Sequence, residues 1–84
     1  MTRNDITAVL IDELGRIAPE IDASRLDPSA ELREELDIDS MDFLNLVTAL
    51  SERLEIDIPE IDYPKLATLG HAIDYLAQRL GGTA

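Results

Sequence analysis

Cysteine and tryptophan are absent from this sequence, and its 84 residues include one phenylalanine, two tyrosines and one histidine. Without cysteine there is no disulfide framework, no thiolate metal site and no cysteine nucleophile, so a reducing compartment suits the chain and cytoplasm is the expectation. The lone His71 has no second histidine or cysteine with which to share a metal or activate a hydroxyl, and it reads as structural or surface. No apolar run approaches the ~20 residues that would span a bilayer, and Met1 to Asp5 hold no basic stretch leading into an apolar one. The chain is therefore expected to be soluble and unexported, with no membrane insertion. Aromatics make up 4% of residues against 45% hydrophobic, so a core must come from Leu, Ile, Val and Ala, as where helices pack on helices.

Positive charge is scarce as well. Seven basic residues face 18 acidic ones, giving a net charge of −11 and a pI near 4.1. Such a field repels nucleic acid and anionic membranes and points to basic partners. Between Glu31 and Asp62 stand eleven acids and only Arg33 and Arg53 as bases, so about −9 of the total lies in that stretch. A generally soluble surface explains the composition equally well until a motif is found. At this length the chain builds one small core, expected to act as a monomer, and the size argues against a large enclosed catalytic cleft; no enzymatic activity is expected.

Along the chain, Val9, Leu10, Leu14 and Ile17 recur at helical spacing, with Thr2 or Asn4 as N-cap and Pro19 beyond the end. Asp5, Asp12 and Glu13 fall off that stripe and read as a solvated face. Ala18 to Asp37 carries Pro19, Ser24, Pro28 and Ser29 without a sustained period and reads as a long ordered loop, anchored by Ile21, Leu26 and Leu32, with a turn of helix near Asp27 to Arg33. The next helix is predicted from about Ser40 to Leu54, with Leu44, Val47, Leu50 and Leu54 as its stripe and Asp39 as its cap, Asp42 standing at capping-box spacing. Glu55 to Pro59 alternates acid and isoleucine, but Pro59 and the lack of a partner strand favour a loop from which Ile56 and Ile58 plug the core. A short helix from about Ile61 to Leu66 and a last one from Leu69 to Leu80 follow, the latter capped by Thr68, stopped by Gly81-Gly82 and striped by Leu69, Ala72, Ile73, Leu76 and Leu80. Residues 1–80 form one domain in this reading, and 81–84 a flexible tail.

The position that stands out is Asp39-Ser40-Met41, where the long loop meets an amphipathic helix. A phosphate ester on the Ser40 hydroxyl would sit in the positive field of a helix N-terminus. On the tripeptide alone, a first-turn serine beside an Asp cap is the weightier interpretation. Carboxylate pairs such as Asp37 with Asp39, or Asp57 with Glu60, suit loose counterion binding, since no EF-hand spacing is present and no metal site is expected. Tyr63 and Tyr75 read as packing groups.

The longer context, Glu34-Glu-Leu-Asp-Ile-Asp-Ser-Met-Asp-Phe-Leu, resembles the phosphopantetheine attachment motif of acyl carrier proteins, D-x-x-G-x-D-S-L-x-x-x-x-L. The resemblance continues through Ala49 to Pro59 and again at Ala72 to Leu76. It implies an all-α, four-helix bundle of the acyl carrier type, with three main helices, one short helix and a long first loop. It further implies a covalent 4′-phosphopantetheine arm, moved from coenzyme A to Ser40 by a phosphopantetheinyl transferase of the holo-acyl-carrier-protein synthase kind, with Asp39 and Met41 flanking the attachment. The arm's thiol then carries acyl groups as thioesters between the enzymes of fatty-acid, lipid or polyketide-type biosynthesis, which answers how a chain without cysteine takes part in thioester chemistry. In such proteins the helix after the serine docks on basic patches of acyl-loading and acyl-transferring enzymes, a role that falls here to Asp39, Asp42, Glu52 and Glu55. The sequence departs from the pattern at Asp37, where glycine is usual, at Met41, where leucine is commoner, and at Asn45, Thr48 and Ser51, which thin the docking face. Phe43 adds an aromatic where a small or polar residue is frequent. These departures favour a specialised carrier with restricted partners. Two alternatives stand beside it, an aminoacyl, peptidyl or D-alanyl carrier on the same fold and an unmodified acidic adaptor.

Overall fold

Thr2 opens the first helix with a reciprocal capping box, its hydroxyl accepting from the Asp5 amide while the Asp5 carboxylate accepts from the Thr2 amide. The computed structural model describes residues 2–81; beyond Gly81 the expected tail lies outside the described residues. Helix α1 spans Arg3–Ile17, α2 is one short turn at Leu32–Glu35, α3 spans Ser40–Leu54 and α4 spans Leu69–Arg79. Two 3-10 segments, Ala23–Arg25 and Glu60–Leu66, complete the order. Among the described residues there is no strand, only one isolated antiparallel bridge between Glu31 and Thr68. The arrangement is the all-α bundle that the sequence led us to expect, with α1 packed against both α3 and α4 and the second 3-10 helix lying on α4.

The core is aliphatic. Ile6, Leu10 and Leu14 of α1, Leu46 and Leu50 of α3, and Leu76 of α4 are almost wholly buried, joined by Leu32 from the long loop and Leu66 from the 3-10 helix. Burying a side chain of this kind stabilises the fold by about 1.5–3 kcal/mol, and that gain is what orders a loop otherwise poor in regular structure. Leu32 acts with two backbone bonds, its amide donating to the Ala67 carbonyl at 2.8 Å and the Gly70 amide donating to the Pro28 carbonyl at 2.8 Å. The loop is thereby stitched to the start of α4. The helical turn falls at Leu32–Glu35, later than the expected Asp27 to Arg33, because Leu32 is the residue that reaches the core.

Three expectations about helix faces need correction. In α3 the buried positions are Phe43, Leu46, Val47, Leu50 and Leu54, while Leu44 is 44% exposed; the stripe runs one residue earlier at its start, as the large Phe43 ring takes the inward position. In α4, Tyr75 and Ala77 are buried, whereas Ile73 and Leu80 only edge the core. Glu13 is not on a solvated face. It lies one turn beyond Val9 on the side that α3 covers, and Arg53 reaches across from α3 to bring Nη1 within 3.0 Å of its carboxylate and 2.5 Å of that of Asp12. A carboxylate so placed needs that partner, since an unpaired buried charge is costly.

Asp37 and Glu55 both hold left-handed backbone, with φ of 51° and 55°. Asp37 stands where the carrier motif has glycine, and aspartate is among the few residues that visit this region readily. Glu55 ends α3, its own amide donating to the Ser51 carbonyl, without aspartate's tolerance for that conformation. Replacing Glu55 by glycine should therefore raise the unfolding free energy by about 1 kcal/mol, measured by urea denaturation; no gain would show that Glu55 is unstrained. The net charge of −11 on one small core also predicts a melting temperature that rises when magnesium is added from low ionic strength, as counterions relieve self-repulsion. A fall, or no response, would contradict that picture.

Candidate functional site

Asp39 closes the loop in extended backbone and caps α3, its Oδ1 accepting from the Asp42 amide at 2.9 Å. That is one half of the expected capping box. Ser40 is the first residue of the helix, exposed to solvent. The amides of the first turn have no intrahelical acceptor and carry the positive end of the helix dipole.

The bonding of the Ser40 hydroxyl distinguishes it from the other two exposed serines, Ser24 and Ser29. Its oxygen accepts a bond from Arg33 Nη2 at 3.0 Å, and its own proton is not donated to any group among the described residues. Ser24 and Ser29, also exposed, donate their hydroxyls to the Asp22 and Asp27 carboxylates two residues earlier. Ser51 lies within α3, in its last turn.

Beside Ser40 a groove of about 540 Å³ opens between the start of α3 and the 3-10 helix. Phe43, Leu44, Tyr63, Pro64 and Ala67 provide largely apolar walls, and Glu31, Arg33 and Glu60 the polar margin. The Phe43 and Tyr63 rings meet edge to face, 6.3 Å between centroids. On its other side the 3-10 helix is tied to α4: the Tyr75 hydroxyl donates to Asp62 at 2.7 Å and accepts from Arg79 Nη1, whose other nitrogen donates to the Asp57 carbonyl. The bond from Tyr75, with lesser help from Lys65, holds the Asp62 carboxyl below its ordinary range, while burial and the neighbouring carboxylate push the Tyr75 phenol up.

The structure brings Asp39, Ser40, Met41 and Asp42 together at one helix end, with Met41 68% exposed. Glu52 and Glu55 belong to the opposite end of α3, so the charged residues singled out for docking run the length of the helix instead of forming one cluster. Ile61, 83% exposed on the 3-10 helix, and Leu44 add apolar surface. Sequence reasoning passed over Arg33. Its signal was a single base inside the acidic run from Glu31 to Asp42. His71 is exposed and contributes its backbone amide to the Thr68 cap. Among the described residues no three side chains of metal-binding type come together, and no helix is long and apolar enough to cross a membrane.

Comparison with known proteins agrees with this geometry. Residues 4–76 match the family model described as a phosphopantetheine attachment site. The chain is 33% identical over 78 residues to the acyl carrier protein of Chlamydia felis, covering 93% of this chain and 94% of that one. It is likewise 33% identical over 76 residues to the acyl carrier protein of a Picosynechococcus strain, covering 90% and 88%. A serine at a capped helix start, an apolar groove beside it and similarity along nearly the whole chain converge: this chain belongs to the acyl carrier proteins, the carriers, themselves not catalysts, that bear a covalently attached 4′-phosphopantetheine.

Proposed function

We propose that Ser40 is the residue that receives the arm, that residues 1–80 work as one carrier domain in the cytoplasm, and that the cargo is an acyl group of fatty-acid, lipid or polyketide-type biosynthesis. The observation that carries the proposal is the state of the Ser40 hydroxyl, exposed at the first position of a capped helix with its proton uncommitted. At loading, Oγ forms a new bond to the pantetheine-side phosphorus of coenzyme A, the phosphoanhydride bond breaks with its electron pair leaving on adenosine 3′,5′-bisphosphate, and the hydroxyl proton passes to the transferase. The first-turn amides of α3 and the Arg33 guanidinium then face the new phosphodiester, so the residues present suit that group in charge and position. When bound, the arm supplies the thiol on which acyl groups are held. Tethering keeps each intermediate at high effective concentration, so docking to successive enzymes need only be weak and fast.

The groove supports acyl over aminoacyl or peptidyl cargo, because its Phe43, Leu44, Tyr63 and Pro64 walls favour an apolar chain and leave a charged amine poorly solvated. Aspartate before the serine leans the same way. For docking, Asp39, Asp42, Glu52 and Glu55 are spread along α3 and its ends, an acidic surface suited to basic patches on the transferase and on acyl-handling enzymes.

Ser40→Ala should remain folded, since the Asp39 cap and the core are untouched, and should lose modification entirely. Intact masses after incubation with coenzyme A and a broad-specificity transferase test this. An alanine variant that still gains the arm would mean another serine carries it, and a wild-type chain that never gains it would favour the acidic adaptor. For the docking face, Asp42→Lys with Glu52→Lys should slow transferase association up to about tenfold at low salt and flatten its salt dependence. Asp39 is kept in that variant because removing the cap alone costs about 1 kcal/mol. Equal rates across a salt series would refute the assigned face.

A further inference from the structure

The seven basic side chains are not equivalent in their surroundings. Arg3, Arg16, Arg25, Arg53 and Lys65 each lie within ion-pair distance of a carboxylate, and Arg79 is occupied by the Tyr75 hydroxyl and the Asp57 carbonyl. Arg33 is the exception. Although Glu31, Glu34, Glu35, Asp37 and Asp39 are all close in sequence, its guanidinium makes no ion pair among the described residues and donates instead to the neutral Ser40 oxygen at 3.0 Å. It is exposed and stands at the margin of the groove.

A guanidinium in a strongly acidic stretch that bonds a hydroxyl instead of a carboxylate is positioned for a charge that arrives later. Resting on the assignment of Ser40 as the attachment point, we propose that Arg33 is a positioning residue for the phosphodiester, pairing with its non-bridging oxygens once the arm is in place. Esterification removes the hydroxyl proton and makes Oγ a poor acceptor, while it sets an anion immediately beside Arg33. The planar fork of arginine matches two phosphate oxygens at once, which a lysine ammonium does not. The pair also offsets the addition of one more negative charge to a chain at −11, at a spot where Asp37 and Asp39 would otherwise oppose it. By holding the phosphodiester on the Arg33 side of the α3 terminus, the contact fixes the direction in which the arm leaves the protein, along the groove margin.

The test uses the full chain in its loaded form. Wild type, Arg33→Gln and Arg33→Lys are converted with coenzyme A and a transferase, conversion is checked by intact mass, and the 31P resonance and the melting temperature of each loaded and unloaded protein are recorded. A phosphodiester does not titrate near neutral pH, so its resonance reports its surroundings and not its protonation. The expected result is a 31P resonance displaced in Arg33→Gln relative to wild type, with Arg33→Lys between them. The change in melting temperature on loading should also be less favourable in Arg33→Gln than in wild type. Fully loaded proteins whose 31P resonances coincide and whose melting temperatures respond equally to loading would overturn the role of Arg33 and leave the attachment at Ser40 standing. A wild-type chain that gains no mass, or gains it at a residue other than Ser40, would overturn both.

Discussion

The burial of Leu32 is the contact on which the geometry of the site depends. Its side chain is fully enclosed among the helices, and the bonds from Leu32 to Ala67 and from Gly70 to Pro28 fasten the same stretch of loop to the start of α4. A β-carbon at Gly70 would lie 3.1 Å from the Pro28 carbonyl oxygen, so any side chain there would press the two segments apart by a few tenths of an ångström. Once Leu32 is fixed, Arg33 and Glu31 must project from the neighbouring positions, at the margin of the groove. The left-handed turn at Asp37 then returns the chain to begin α3 with Ser40 facing them. An apolar anchor thus decides where the polar chemistry sits.

Electrostatics is the second organising influence, and most of the positive charge is spent internally. Arg53 joins α1 to α3 through Asp12 and Glu13, and Arg3 joins the start of α1 to α4 through Asp74. The exposed Arg3–Asp74 pair adds little stability, whereas Arg53 neutralises the largely buried Glu13 carboxylate; both occupy basic side chains that would otherwise offset the acids around α3. What remains there is acid interrupted by Met41, Leu44 and Ile61, so a partner meets long-range attraction first and short-range apolar contact second.

Much of this was readable in the residues. The limits of α3, the caps at Asp39 and Thr68, and the plugging role of Ile58 follow from local chemistry, namely side-chain oxygens beside free amides and apolar residues at fixed spacing, while of the two caps open for α1, Thr2 and Asn4, the structure uses Thr2. What could not be read depended on contacts distant in sequence. Glu13 is buried only because Arg53 reaches it from forty residues away. Phe43 displaces Leu44 from the inward position because the 3-10 helix sets Tyr63 against its ring. The meeting of Arg33 with Ser40 requires the loop to be pinned at Leu32, and no periodicity within Ala18 to Asp37 announces that.

The two attachments of the 3-10 helix differ in kind. Towards α4 it is held by directional bonds among Asp62, Tyr75 and Arg79, which yield little before they break. Towards α3 the Phe43 and Tyr63 rings touch edge to face, a contact that slides and tilts at small cost. Mechanically the groove is a jaw with one bolted side and one sprung side. A change in its width would thus meet less resistance on the α3 side than on the α4 side.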